Sequence, residues 1–209
     1  GFPTDKIYRF KPSNGTMVEV GSLPETLLDP VGVWNPDEAA FYIIGGYEAG
    51  GGLTGDGGSY QNNIQVFDPR EGTVKKVGEL PRNADNPAAI YNPDKRVIYL
   101  IGGHANGEFY DDIFEILLNG STTKVGALPE PLDYMGTFYF KGYVYIVGGR
   151  NQTTRSHGTD TIYRFNTITG EVIELDLKLT KPNLIYSYAA SEDTLYLMNA
   201  NPPMLLIFE

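Results

Sequence analysis

Cysteine is absent from the 209 residues. Without thiols the chain can form no disulfide, no thiolate metal site and no cysteine nucleophile, and the redox compartment is left open. Basic charge is scarce as well, with 16 Lys and Arg against 26 Asp and Glu and a net charge of −10. Phosphate binding needs clustered cations, so no nucleic-acid partner is expected; an acidic surface of this kind favours solubility. No apolar run approaches the roughly 18 residues that would span a membrane. No secretory leader is expected at the N-terminus, and a start at Gly1 fits a processed or trimmed chain equally well. Histidine is nearly missing, with two copies, and no zinc-ligand spacing or EF-hand loop occurs, so neither metal nor cofactor is expected.

What the chain has in quantity is 25 Gly, 14 Pro, 15 Tyr and 10 Phe. That mixture of turn formers and strand formers points to an all-β protein. A repeat organises it. "FYIIGG" (41–46) returns as "IYLIGG" (98–103), as "VYIVGG" (144–149) and, degraded, as "LYLMNA" (195–200). The aligned tyrosines Tyr42, Tyr99, Tyr145 and Tyr196 are spaced by 57, 46 and 51 residues. A second series, "KIYRF" (6–10), "NIQVF" (63–67), "DIFEI" (112–116) and "TIYRF" (161–165), follows each doublet after a variable gap, and "MLLIF" (204–208) reads as a fifth copy. Turns built on Gly15, Gly72, Gly120 and Gly170 lead from it into another β-like run. A fourth series, "VGVW" (31–34), "AAIY" (88–91), "GTFY" (136–139) and "YSYAA" (186–190), opens each unit.

Each unit therefore reads as four short strands, a to d, with strand b apolar on both sides of the pleat. One four-stranded sheet cannot bury two faces alone, whereas stacked sheets can. Apolar-Tyr-apolar-apolar-Gly-Gly at about 50-residue intervals resembles the Kelch repeat, and the resemblance implies a β-propeller. It covers essentially the whole chain, with two departures. The tryptophan usual in strand d of the family is replaced by Met17, Val74 and Val172, and the fourth doublet has become Asn199-Ala200. The expected organisation is a partial blade at 1–24, blades at about 30–80, 87–128 and 135–179, and a partial blade at 186–209. Four blades could close by pairing the first c–d with the last a–b, leaving "MLLIF" over. Alternatively the residues belong to a larger ring completed by a further segment or chain, which is the arrangement favoured.

Strand direction places the b–c loops and the d–a segments on one face of such a scaffold, where variable loops carry function. Tyr47, His104 and Arg150 directly follow a Gly-Gly, and with Arg82 and Tyr134 they are the candidate ligand contacts. The face is acidic, and Glu130 and Asp133 are among its carboxylates. His104 and His157 are the only residues in these loops suited to proton transfer near neutrality, with Asp111, Asp112 and Asp160 near in sequence. Sequons at Asn14, Asn119 and Asn151 lean toward glycosylation and an extracellular location, with the cytoplasm as the alternative.

Enzymatic types that the resemblance brings in are testable by residue. Copper-radical oxidases of the galactose oxidase type need a cysteine-linked tyrosine, which is excluded here. The Glu-x-x-x-Asp-x-x-x-His iron motif of specifier proteins fails at His157, where positions 149 and 153 are Gly and Thr. Sialidase-type Ser-x-Asp-x-Gly-x-Thr-Trp boxes are missing. Gly50, Gly52 and Gly55 spell G-x-G-x-x-G, but "SYQNNIQVF" follows and no helix fits, so a dinucleotide site is rejected. The expected function is non-enzymatic: a binding or scaffold propeller for a protein or carbohydrate ligand. The alternatives are an extracellular polysaccharide-active lyase or hydrolase using a loop histidine, and a structural segment of a larger assembly.

Overall fold

A computed structural model describes residues 4–48, 57–155, 157–185, 188–190, 194–197 and 204–207. Every regular element in them is a β-strand, and every pairing between strands is antiparallel. Strands β1 (Thr4–Lys11) and β2 (Thr16–Leu28) form a long hairpin. β3 (Val31–Asn35) and β4 (Ala40–Ile44) follow, then the two-residue strands β5 (Tyr47–Glu48) and β6 (Ser59–Tyr60), then β7 (Asn63–Asp68) and β8 (Thr73–Glu79). The next sheet holds β9 (Ala88–Asn92) and β10 (Val97–Ile101), and a small hairpin of β11 (His104–Ala105) and β12 (Glu108–Phe109) precedes β13 (Asp112–Leu117) and β14 (Thr122–Ala127). β15 (Gly136–Phe140), β16 (Tyr143–Val147), β17 (Ile162–Asn166) and β18 (Val172–Glu174) make a further sheet. β19 (Tyr188–Ala190), β20 (Thr194–Leu197) and β21 (Met204–Ile207) come last.

Three sheets share one order, a-b-c-d in chain sequence: β3-β4-β7-β8, β9-β10-β13-β14 and β15-β16-β17-β18. This is the blade of a β-propeller, and the fold is an all-β propeller of four-stranded blades. β19-β20-β21 forms a three-stranded sheet, so β20 pairs with β21 on the edge opposite β19. The first sheet is β1-β2-β5-β6. There β2 runs beyond residue 24, the expected end of the first unit, because Leu27 and Leu28 pair with Glu48 and Tyr47 at the start of the following b–c loop.

The chain divides into two compact units, Gly1–Asp85 with Asn119–Ser121, and Asn86–Leu118 with Thr122–Glu209. In the second unit, the strand-b residues Val97, Tyr99 and Ile101 pack with Val144, Ile146, Tyr163 and Phe165 into one buried cluster. All five residues of β10 are buried, as a strand covered on both faces requires. The a–b turns are closed locally: the Asn92 carboxamide oxygen accepts from the Asp94 and Lys95 backbone N–H groups at 2.9 and 3.2 Å.

Strand d carries a device that recurs. Ile64 pairs with Gly78 while Gln65 pairs with Lys76, leaving Val77 as a bulge. The same step leaves Val125 between Lys124 and Gly126, and Val20 between Glu19 and Gly21. The sequence beneath it is Val-Gly-x-Leu-Pro at 20–24, 77–81 and 125–129. The bulge aims a carbonyl at the c–d turn of the neighbouring sheet. A Cβ added to Gly72 would lie 2.6 Å from the Val20 oxygen, and one added to Gly170 would lie 2.6 Å from the Val125 oxygen. Adjacent sheets thus touch backbone to backbone, and the turn glycine is demanded by proximity as well as by its positive φ.

Candidate functional site

The second unit gathers three loops around one carboxylate. At the end of β10, Gly102 and Gly103 take φ values of 57° and 94°. Their N–H groups bond the Asp112 oxygen at 3.0 Å and the Leu132 oxygen at 2.8 Å, which ties strand b both to strand c and to the d–a segment. The chain then turns through Asn106-Gly107, both at positive φ, so that His104 pairs with Phe109 across β11 and β12. Their rings stack at 5.6 Å with an interplanar angle of 26°.

Asp133 lies in the d–a segment that follows β14, and its side chain is fully buried. Its backbone exchanges two hydrogen bonds with Arg150, N–H to O at 3.0 Å and back at 2.9 Å. Its carboxylate then accepts from Arg150 Nε at 2.9 Å and Nη2 at 3.2 Å, and His104 Nδ1 stands 2.9 Å from Oδ2. An ionised carboxylate out of water needs such partners, and a forked guanidinium supplies two bonds at once. The Arg150 guanidinium carbon sits 4.6 Å from the Tyr134 ring centroid and 5.9 Å from that of Phe109; Arg155 reaches the Phe109 ring at 5.3 Å. The cluster is two stacked aromatic–cation layers on a buried acid.

Tyr134 has a φ of 52°. The corresponding residues ahead of two other a strands, Asp29 and Asn86, have φ of 49°, a conformation that Asp and Asn adopt readily and tyrosine does not. The strain is sustained by bonds on both sides, Tyr134 N–H to the Asn86 oxygen at 3.2 Å and Ile185 N–H to the Tyr134 oxygen at 2.8 Å. The segment thus holds a strained aromatic beside a guanidinium.

Glu130 completes the local frame. It accepts from the Tyr163 hydroxyl at 2.9 Å and from Asn151 Nδ2. Burial first, and then the Glu130 hydrogen bond, raise the Tyr163 pKa above its usual value; burial and Glu115 do the same for Tyr99. Both groups favour folding while neutral. Their contribution is complete below about pH 10 and is lost as pH rises through the folded-state values. Urea midpoints should therefore fall above about pH 10, and Tyr163→Phe should flatten that fall while costing about 1 kcal/mol at neutral pH through the lost hydrogen bond. An unchanged alkaline slope in Tyr163→Phe would contradict the assignment.

Of the candidate ligand contacts, His104, Tyr134 and Arg150 come together at Asp133, while Tyr47 and Arg82 belong to the first unit. Tyr47 stacks edge-on with Tyr60 at 5.0 Å, and Arg82 donates to the Asn83 oxygen at 3.3 Å. His157 is exposed in a turn, its backbone N–H on the Thr154 oxygen at 3.1 Å. Of the sequons, Asn14 and Asn119 are exposed, whereas Asn151 is half-buried with its Nδ2 on Glu130. Asp112 is paired with Lys124. Gly50, Gly52 and Gly55 lie outside the described residues, and Asp68 closes β7 with its carboxylate 2.7 Å from Arg70. Two members escaped the sequence reading: Asp133 as the hub, and Phe109. The Asn-Gly turn at 106–107 is the signal that would have placed Phe109 opposite His104.

No family model matches the chain. Over 167 residues it is 26% identical to Kelch-like protein 35 of Mus musculus, covering 79% of this chain and 26% of that protein. Its fold matches the solved structure of YjhT with a TM-score of 0.72 at 11% identity, covering 92% of this chain and 65% of that one. The chain thus spans about a quarter of the curated relative and less than two thirds of the matched structure. In sequence the chain is thus similar to a Kelch-like protein, and in fold to a β-propeller.

Proposed function

We propose that the protein is a non-enzymatic binding or scaffold propeller that recognises a protein or carbohydrate ligand through its b–c loops and d–a segments. The Kelch-like relative supports the binding role. The observation that carries the location is the buried Asp133, which holds His104 and Arg150 in fixed positions beside Phe109 and Tyr134. Aromatic and arginine side chains locked before the ligand arrives lose little entropy on binding, which is what a contact surface requires.

The test is a protein and glycan array probed with the purified chain, followed by affinity measurements on a retained ligand. Arg155→Ala and Tyr134→Ala should each weaken binding by about tenfold or more, or roughly 1.4 kcal/mol, with folding midpoints nearly unchanged for Arg155→Ala. Undiminished affinity in both variants would remove the ligand from this cluster. Tyr47→Ala and Arg82→Ala test the first unit in the same assay.

A second reading rests on the same geometry. With Nδ1 2.9 Å from a buried carboxylate oxygen, His104 would transfer protons through Nε2, as a lyase or hydrolase acting on polysaccharide would need. Depolymerisation of a polysaccharide panel by the purified chain, lost in His104→Gln, favours it; an inert panel leaves the binding role.

A further inference from the structure

One glutamate position occurs in both units with opposite surroundings. In each, the acid directly follows the Val-Gly-x-Leu-Pro string, Glu25 after 20–24 and Glu130 after 125–129. Strand pairing fixes which residues correspond around it. Leu28 pairs with Tyr47 as Asp133 pairs with Arg150, which sets Glu48 in the place of Asn151. Gln65 pairs with Ile43 as Tyr163 pairs with Ile146, each opposite the second residue ahead of a Gly-Gly, which sets Gln65 in the place of Tyr163.

In the second unit the acid meets two donors, the Tyr163 hydroxyl at 2.9 Å and Asn151 Nδ2. In the first unit those places hold acceptors. Glu48 brings a second carboxylate, kept in position by Gln61 Nε2, which donates to its Oε2 at 2.9 Å. Gln65 is 2% exposed, and its buried Oε1 meets no donor among the described residues; the buried Oε2 of Glu25 meets none either. Gln65 is directed at β2, because Phe67 shares its face of β7 and a Cβ added to Gly21 of β2 would lie 2.8 Å from the Phe67 ring. Phe165 and Gly126 repeat that contact at 3.3 Å beneath Tyr163 and Glu130. A glutamine is shorter than a tyrosine, so a gap stands where the hydroxyl sits in the other unit. Buried acceptors without donors are costly, and paired carboxylates repel unless positive charge stands between them.

We propose that Glu25, Glu48 and Gln65 hold a divalent cation, and its chemistry is that of calcium. Carboxylate and amide oxygens are the ligands hard cations take, and two carboxylates balance the charge. Calcium accepts an irregular shell completed by water, where magnesium demands a near-ideal octahedron. No three Asp, Glu or His side chains converge as a metal group among the described residues; this site has two acids and an amide oxygen. Its ligands come from a d–a segment, a b–c loop and strand c, so no sequence spacing announces it. The ion would tie these elements together in the first unit, as the bonds of Glu130 to Tyr163 and Asn151 do in the second.

The test uses the whole chain, stripped with EDTA. Calcium is titrated by calorimetry, and urea midpoints are read without and with about 10 mM calcium. One site with a Kd of about 0.1–1 mM is expected, and about 10 mM calcium should then raise the folding constant about tenfold or more. Glu25→Gln should abolish that rise. Gln65→Tyr should abolish it too, while folding at least as well as the parent without calcium, because its hydroxyl gives Glu25 the donor that Tyr163 gives Glu130. Glu130→Gln, in the second unit, should keep the calcium response. A chain that takes up no calcium overturns the proposal and leaves the gap to a water molecule. A rise that survives in both Glu25→Gln and Gln65→Tyr puts the cation elsewhere on the acidic surface and overturns the site.

Discussion

Asp133→Ala is expected to lower folding stability by about 3–5 kcal/mol, because it strands a guanidinium and an imidazole that were placed for a carboxylate. The side chain it removes is fully buried, accepts from two Arg150 nitrogens, and lies 2.9 Å from His104 Nδ1. The loss should also reach the ligand surface, since Arg150 and His104 keep their ring contacts only while that hub holds them. A conservative variant separates charge from shape. Asp133→Asn keeps the volume but turns an amide N–H₂ toward donors, so about half the loss is expected. Arg150→Met alone leaves the acid buried with one partner fewer and should be costly. The pair Asp133→Leu, Arg150→Met should recover much of the deficit, as buried ion pairs replaced whole by apolar side chains often do. Urea midpoints of the four proteins decide it. Additive losses would mean that the contact is a surface pairing worth a few tenths of a kcal/mol.

The difference between what the chain displays and what it conceals follows from range. Tyr42, Tyr99 and Tyr145 are legible because each strand b repeats an apolar run closed by Gly-Gly, and period alone exposes a repeat. The turns at Asn92 and Gly170 are legible because their bonds close within three or four residues. The Val-Gly-x-Leu-Pro string stands in plain view three times, yet its meaning lies in a neighbouring sheet, where the bulged Val125 carbonyl meets Gly170. In the sequence Asp133 is one of many acids on the loop face. Nothing local separates it from Glu108, which is exposed, because burial is conferred by His104 and Arg150, 29 and 17 residues away. Tyr134 hides for another reason. It occupies a left-handed position that Asp29 and Asn86 fill elsewhere, and a tyrosine gives no local hint of that conformation.

Gly102→Ala should cost about 4 kcal/mol or more. Two costs combine. The residue sits at φ 57°, where a Cβ alone costs about 1 kcal/mol. That Cβ would then lie 2.2 Å from the Leu132 oxygen and 2.8 Å from the Met135 methyl. The methyl can swing aside, but the oxygen cannot: it accepts the Gly103 N–H at 2.8 Å, and Leu132 is itself fully buried. Relief requires the d–a segment to part from strand b, which would also displace Asp133 one residue on. Gly107 supplies the control on the same loop. It has φ 85°, yet no atom lies within 4 Å of an added Cβ, so Gly107→Ala should cost only the conformational term of about 1 kcal/mol. Equal losses at the two positions, read from urea midpoints at constant slope, would show that backbone conformation alone accounts for the doublet. A loss several times larger at Gly102 would show that the repeat keeps its first glycine to let two backbones touch.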